Sequence, residues 1–340
     1  MTEFNRRQVL ATLGAAATVS TLAAPALATG RKITVGALRF TSHSGTFIAF
    51  EKNYFGDAGL DVELKFFDAA QPMAVAIASG DVDYALTAIS GGLVSLADKG
   101  AIKVIGGGLS EEPGIDGQKI LASDAAFQAG LTSASMLGGK SFGMTTAGSS
   151  FHYLGSKVAA AEGVDMSFKP LQKVGAIIGA LKSGQIDAWS IVPHIAKPLA
   201  ASGAVHIIGN ISDYLPNYQV TTVFTSAKNA VEEQDMTKDY LAAYSKGVAD
   251  YNAAMIANTG GEDGVNQMVD LIHKFVYTDR PIEKAAPSII SGTMRLNEGA
   301  ALNVASVRDQ LEWFQAEGLV DGAITLETLL DTSYVQTLDS

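Results

Sequence analysis

Two stretches of this chain match each other at a spacing of 104 residues, and no other feature limits the fold as strongly. Ala58-Gly59-Leu60-Asp61-Val62-Glu63-Leu64-Lys65 falls on Glu162-Gly163-Val164-Asp165-Met166-Ser167-Phe168-Lys169, and Ser79-Gly80-Asp81-Val82-Asp83 falls on Ser183-Gly184-Gln185-Ile186-Asp187. Phe47 falls on Phe151 in the same register, without a gap. The identities are few, but they sit where elements end. A glycine after a helical run supplies the left-handed residue that closes an α-helix, and Gly59, Gly80, Gly163 and Gly184 occupy such places. Duplication of one unit and convergence of two similar units lead to the same architecture.

Short apolar runs follow those glycines: Val62 to Phe66, Val82 to Leu86, Met166 to Phe168 and Ile186 to Ile191. They have strand length and lie between helical segments, the pattern of a mainly parallel sheet. Ile33 to Leu38 and Ser141 to Thr145 add a leading strand to each copy. Each copy therefore predicts strand, polar loop, helix, strand, helix, strand, which makes an α/β protein of two doubly wound lobes. From about Ala227 the pattern turns helical, over Met236 to Asn258, Val265 to Phe275 and Ala300 to Glu317. The chain is expected to return to the first lobe near the strand-like Tyr218 to Thr225. The first lobe is assigned residues 29–118 and 226–340, and the second residues 119–225.

The first 28 residues have the composition of an export leader. Arg6-Arg7 precede a weakly apolar run from Val9 to Ala24, and Ala26-Leu27-Ala28 supplies the small-x-small pattern of a signal-peptidase site. Cleavage is expected after Ala28. The paired arginines in Asn5-Arg6-Arg7-Gln8-Val9-Leu10 suit the twin-arginine route, and an ordinary Sec signal is the alternative. The chain has no cysteine, so there is no lipid-anchored cysteine, disulfide, thiolate metal site or cysteine nucleophile. A periplasmic location follows as the expectation. The net charge of −11 argues against a nucleic-acid partner, because neutralising phosphates needs clustered Lys and Arg.

Ligands of open α/β sheets bind beyond the carboxyl ends of the strands, near helix N-termini. Two hydroxyl-rich loops occupy equivalent places in the two copies: Thr41-Ser42-His43-Ser44-Gly45-Thr46 and Thr145-Thr146-Ala147-Gly148-Ser149-Ser150. Hydroxyls and backbone N–H groups at the positive end of a helix suit a carboxylate or sulfonate. The same hydroxyls also serve as helix caps, and the two roles are compatible. Arg39, at the end of the first strand, is placed to add a bidentate contact or to stand solvated on the surface. Ser90-Gly91 forms a third loop at the same edge. Trp189 and Tyr218 are candidates to stack on an organic group, a core position being the alternative. His152 beside Ser149 and Ser150 has the outline of a base and a nucleophile, but a hydrogen bond within a helix-opening loop explains it equally. The chain contains no Gly-x-Ser-x-Gly elbow, His-Glu-x-x-His helix or phosphate-binding loop. His43, His152, His194, His206 and His273 show no metal-ligand spacing. No enzyme activity, metal or cofactor is predicted.

Three segments carry a family likeness: Gly139-Lys140-Ser141-Phe142-Gly143, Gly148-Ser149-Ser150-Phe151-His152, and Ala180-Leu181-Lys182-Ser183-Gly184-Gln185-Ile186-Asp187-Ala188-Trp189. In these the chain resembles the nitrate/taurine/sulfonate-type periplasmic binding proteins, which are related to the thiamine-pyrimidine synthesis proteins. The resemblance implies a type II periplasmic-binding fold and capture of a small organic anion for the permease and ATPase subunits of an ABC importer. It also implies a monomer. A ligand like a thiamine-precursor pyrimidine is the alternative; the related enzymes use a cysteine-containing metal segment that this chain cannot supply. The resemblance assigns the ligand-facing helix to Gly148, Ser149, Ser150 and His152. The chain departs from the family at Ile191-Val192-Pro193-His194, where an acidic residue usually precedes the proline.

Overall fold

The computed structural model describes residues 30–339. The expected leader and its expected cleavage site lie outside these residues. Ten strands build two five-stranded sheets. The first holds β1 (Arg31–Ala37), β2 (Leu60–Phe66), β3 (Tyr84–Thr87) and β4 (Ile102–Ser110). The second holds β5 (Lys119–Ser123), β6 (Ser141–Met144), β7 (Ser167–Pro170), β8 (Ala188–Ile191) and β9 (Val205–Asn210), after which β10 (Gln219–Ser226) returns to the first. Their orders are β2-β1-β3-β10-β4 and β7-β6-β8-β5-β9. In each, three parallel strands are followed by an antiparallel fourth and a fifth antiparallel to it. The two lobes therefore share one plan.

The echo at 104 residues has a physical basis in these sheets. Gly80 and Gly184 both take left-handed backbone, with φ of +81° and +71°, just after the helices Ala70–Ser79 and Val174–Lys182. Three residues on, the carboxylates of Asp83 and Asp187 do the same work in each lobe. Asp83 Oδ2 accepts the Thr34 N–H of β1 at 2.7 Å. Asp187 Oδ2 accepts the Ser141 N–H of β6 at 2.7 Å and the Ser141 hydroxyl at 2.7 Å. Each aspartate thus pins the entry of one outer parallel strand to the start of the central one.

Strand β10 corrects the expected domain boundary. It lies between β3 and β4 in the first sheet, so the first lobe resumes at Gln219 and not at residue 226. Local pattern marks a strand there, but antiparallel pairing to β3 and β4 decides which sheet it joins. The chain crosses between lobes through residues 111–118 and again through 211–218. The helical remainder wraps the first lobe. Helix Gln234–Tyr251 lies close against helix Ser44–Glu51, so close that a Cβ on Gly247 would stand 2.1 Å from the Gly45 carbonyl. Tyr240 stacks on Tyr84 with ring centroids 4.1 Å apart. The last long helix runs Val304–Ala316 and not from Ala300, because Asn303 caps it by accepting the Ser306 N–H at 3.0 Å.

Candidate functional site

A cavity of about 70 Å³ lies between the lobes at the carboxyl ends of their central strands. From the first lobe come Leu38, Phe40, Ser42 and His43 after β1, Ala69 and Ala70, and Thr87 and Ala88 after β3. From the second come Thr145, Ser149, Ser150 and Phe151 after β6, Val174, and Ile191 and Val192 after β8. Gln118, Val220 and Thr221 close it on the hinge side. None of these side chains is Asp, Glu, Lys or Arg. The lining is therefore mostly apolar, with hydroxyls, one imidazole and one amide. A larger, open hollow of about 490 Å³ includes Glu112 and Arg295, whose charges already pair at 3.0 Å.

His43 is fully buried and held at both nitrogens. Its Nε2 lies 2.7 Å from the Leu86 carbonyl, which can only accept, so Nε2 carries the proton. Nδ1 then accepts from Ser42 Oγ at 3.1 Å. Burial pushes the His43 pKa down to about 4, against the weaker upward pull of the Leu86 carbonyl, so the ring is neutral at pH 7. In the opposite loop Gly148 adopts φ +72°, a left-handed conformation that favours glycine. Its N–H donates to His152 Nδ1 at 3.2 Å, and Ser149 Oγ caps the 13-residue helix Ser150–Glu162 by accepting the His152 N–H. The first-turn N–H groups of that helix have no helical acceptor, and Ser150 and Phe151 of that turn line the cavity.

The lobes touch on both flanks of the cavity. On one side Thr41 Oγ1 lies 2.9 Å from His194 Nδ1, and the Tyr277 hydroxyl donates to the His194 carbonyl. On the other, the Gly91 N–H donates to the Gly148 carbonyl at 2.8 Å, and Lys157 pairs with Asp309 at 2.7 Å. His194 is also buried and neutral. Burial, with His43 nearby, pushes its pKa down to about 3. The departure from the family pattern at His194 thus sits in an interlobe contact.

Of the residues singled out from sequence, Ser42, His43, Ser149 and Ser150 line the cavity. Thr41, Gly91 and Gly148 hold the lobes together beside it. Ser44 is buried in the first turn of its helix, with an Oγ that has no hydrogen-bond partner. Ser90 caps helix Gly91–Asp98 by accepting the Leu93 N–H at 3.2 Å. Thr146 accepts the Ser149 N–H through its carbonyl and stays outside the cavity. His152 is packed between Phe168 and Trp313, with centroids 4.5 and 5.1 Å away, and is also outside. Arg39 turns away from the cleft: its guanidinium lies 3.8 Å over the Phe66 ring and donates to the Phe275 carbonyl at 3.1 Å. Trp189 is buried behind Phe151, centroids 5.3 Å apart, and Tyr218 packs on Tyr153 at 5.4 Å. Neither reaches the cavity.

Sequence reasoning missed Phe40, Thr87, Gln118, Val192 and Thr221. Gln118 and Thr221 are 3% and 6% exposed, and Gln118 Nε2 and Thr221 Oγ1 have no hydrogen-bond partner. Behind Gln118 lies Glu111, a buried carboxyl in the first crossing. Its Oε1 accepts the Gln118 N–H at 3.0 Å, and its Oε2 is unpartnered. Burial raises the Glu111 pKa to about 7, opposed by Gln118 and by the charge of Lys119. Among the described residues no group of three or more His, Asp or Glu is arranged to hold a metal ion.

Two lobes of one plan, crossed twice by the chain and closed over a cavity at their strand ends, define the periplasmic-binding-protein fold. Residues 40–254 match the family model described as NMT1/THI5 like, and the chain belongs to that family. Its structure is similar to that of the alkanesulfonate-binding protein SsuA from Xanthomonas axonopodis pv. citri bound to MOPS. The two share 15% identity over 89% of this chain and 98% of that one, with a TM-score of 0.69. The zinc-bound ligand-binding component of an ABC-type import system from Staphylococcus aureus matches at 15% identity over 89% and 97%, TM-score 0.69. The periplasmic nitrate-binding protein NrtA from Synechocystis PCC 6803 matches at 12% identity over 88% and 84%, TM-score 0.67. No curated protein matches the chain.

Proposed function

We propose that this protein is the solute-binding component of an ABC importer, exported to the periplasm, and that it captures a small organic molecule between its lobes. The observation that carries this reading is the small interlobe cavity itself, lined from both lobes and from the hinge by apolar side chains and uncharged polar ones. Its volume of about 70 Å³ is far below the roughly 300–1,000 Å³ of typical ligand pockets, so a solute enters only when the lobes part. Hinge closure around a solute is the motion such a fold provides. The sulfonate and nitrate bound by similar structures support an anion, and the hydroxyls of Ser42, Ser149 and Ser150 with the helix N-terminus supply its hydrogen bonds. With Arg39 turned away, such an anion has no arginine contact. The mature chain begins at Thr29 in this reading and works as a monomer with a permease and an ATPase.

The protein does not transform its ligand in this reading. His152 Nδ1 is taken by the Gly148 N–H, and His43, whose Nδ1 accepts from Ser42 Oγ, is held by burial at a pKa of about 4 and is a weak base at pH 7. A thermal-shift screen of sulfonates, carboxylates, nitrate and pyrimidines on the mature protein tests both points. A ligand at a thousand times its Kd should stabilise the protein by about 4 kcal/mol. It should be recovered unchanged by mass spectrometry. Absence of any shift across the screen, or turnover of a bound compound, would refute the proposal.

A further inference from the structure

We propose that Gln118 and Thr221, on the hinge side of the cavity, are its specificity-determining residues, and that they receive an oxygen acceptor carried on an otherwise apolar, neutral or singly negative ligand. The proposal rests on the solute-capture reading and adds to it the chemistry of the ligand. Both residues line the cavity and are almost fully buried, and neither Gln118 Nε2 nor Thr221 Oγ1 has a partner at hydrogen-bonding distance in the protein. Buried donors without partners are rare in folded proteins, and a site made to receive a ligand is one place they persist.

Backbone contacts fix both residues in place. Gln118 donates its N–H to Glu111 at 3.0 Å and accepts the Ile211 N–H at 2.9 Å, so it ties the two crossings together where the lobes pivot. Its side-chain amide lies beside the Glu111 carboxyl and helps to hold that carboxyl's pKa down against burial. Thr221 stands at a register irregularity of β10 opposite Leu109, and its carbonyl is already occupied by Gln219 Nε2 at 2.8 Å. Such irregularities re-aim side chains beside binding sites.

An amide N–H and a hydroxyl together suit a carboxylate, sulfonyl or amide oxygen. The facing walls, Leu38, Phe40, Val174, Ile191, Val192 and Val220, suit a hydrocarbon body. A dianion would be buried with no cation to compensate it, and a cation with no carboxylate on the lining. Gln118 stands at the end of the first crossing and Thr221 at the start of β10, so the ligand oxygen is held on the hinge side of the cavity.

The test uses four probes that share a phenyl body: benzoate, benzamide, phenyl phosphate and benzylamine, each measured by thermal shift and calorimetry on the mature protein. Benzoate or benzamide should bind, while phenyl phosphate and benzylamine should not. Gln118→Leu and Thr221→Val should each weaken the bound probe at least about tenfold, the loss expected of one good hydrogen bond. In the absence of any probe, both variants should melt at or above the wild-type temperature, because neither polar atom they remove has a partner at hydrogen-bonding distance in the protein. Preference for phenyl phosphate or benzylamine overturns the proposal. So does a fall in the ligand-free melting temperature of both variants, which would show that these groups serve the fold, Gln118 through Glu111. If no probe binds the wild type, solute capture in this size class is what fails, and the ligand-free melting temperatures still decide the assignment of the two residues.

Discussion

Three buried titratable groups at the lobe junction give the protein a calculable response to acid. His43 and His194 have folded pKa values of about 4 and about 3, below the ordinary 6.5. The unfolded chain therefore takes up protons below pH 6.5 that the folded chain refuses, and stability falls as the pH falls. At pH 5 each histidine lowers stability by about 2 kcal/mol relative to pH 7, roughly 4 kcal/mol together. Glu111 works the other way. Its folded pKa of about 7 lies above the ordinary 4.5, so the folded protein binds this proton first and stability rises as the pH falls through that window. Over the same interval Glu111 restores about 2 kcal/mol, leaving a net loss near 2 kcal/mol. The informative perturbation is Glu111→Gln, which keeps the shape and removes the titration. The variant should lose about 4 kcal/mol between pH 7 and pH 5 where the wild type loses about 2, a difference of a few degrees in melting temperature. Differential scanning calorimetry of both proteins at the two pH values measures it, and surface carboxylates cancel in the comparison. Equal losses in the two proteins would refute the reasoning, because Glu111 would then titrate like an exposed carboxyl.

Two other experiments have expected outcomes. Removing the hydroxyls of Ser149 and Ser150 together should weaken a ligand found in the screen at least about tenfold by calorimetry, with only about 1 kcal/mol lost from the helix cap. Asp187→Ala should cost more stability in chemical denaturation than Asp83→Ala, because Asp187 accepts two hydrogen bonds from Ser141 and Asp83 one from Thr34; each such bond to a charged acceptor is worth roughly 1.5–3 kcal/mol.

The plan of the lobes was legible because its constraints are local. Gly80 and Gly184 must end helices, and Asp83 and Asp187 must stand three residues later to reach the central strand, so a short motif carries the topology of a whole βαβ unit. Strand β10 was not legible in the same way. Gln219–Ser226 has strand character wherever it goes, and only its register against β3 and β4 assigns it to the first lobe. A pairing between residues more than a hundred positions apart leaves no mark in a local pattern.

The site divides along the same line. The loops at Ser42 and Ser149 could be found because parallel strands place their carboxyl ends at the cleft, and hydroxyls follow those ends in both copies. Arg39 stands at such an end too, yet an arginine side chain is long enough to choose its surroundings. Here the Phe66 face and the Phe275 carbonyl hold it on the outside. Gln118 and Thr221 pose the opposite problem. One stands in a crossing and the other at an irregular strand entry, and nothing in their neighbours' composition distinguishes them from ordinary surface polar residues. What singles them out is burial without a partner on the cavity wall, a property that exists only once the first crossing and the start of β10 are brought together there. The charge of the site therefore depends on where one flexible cation turns, and its selectivity on two polar atoms that the fold leaves unmet.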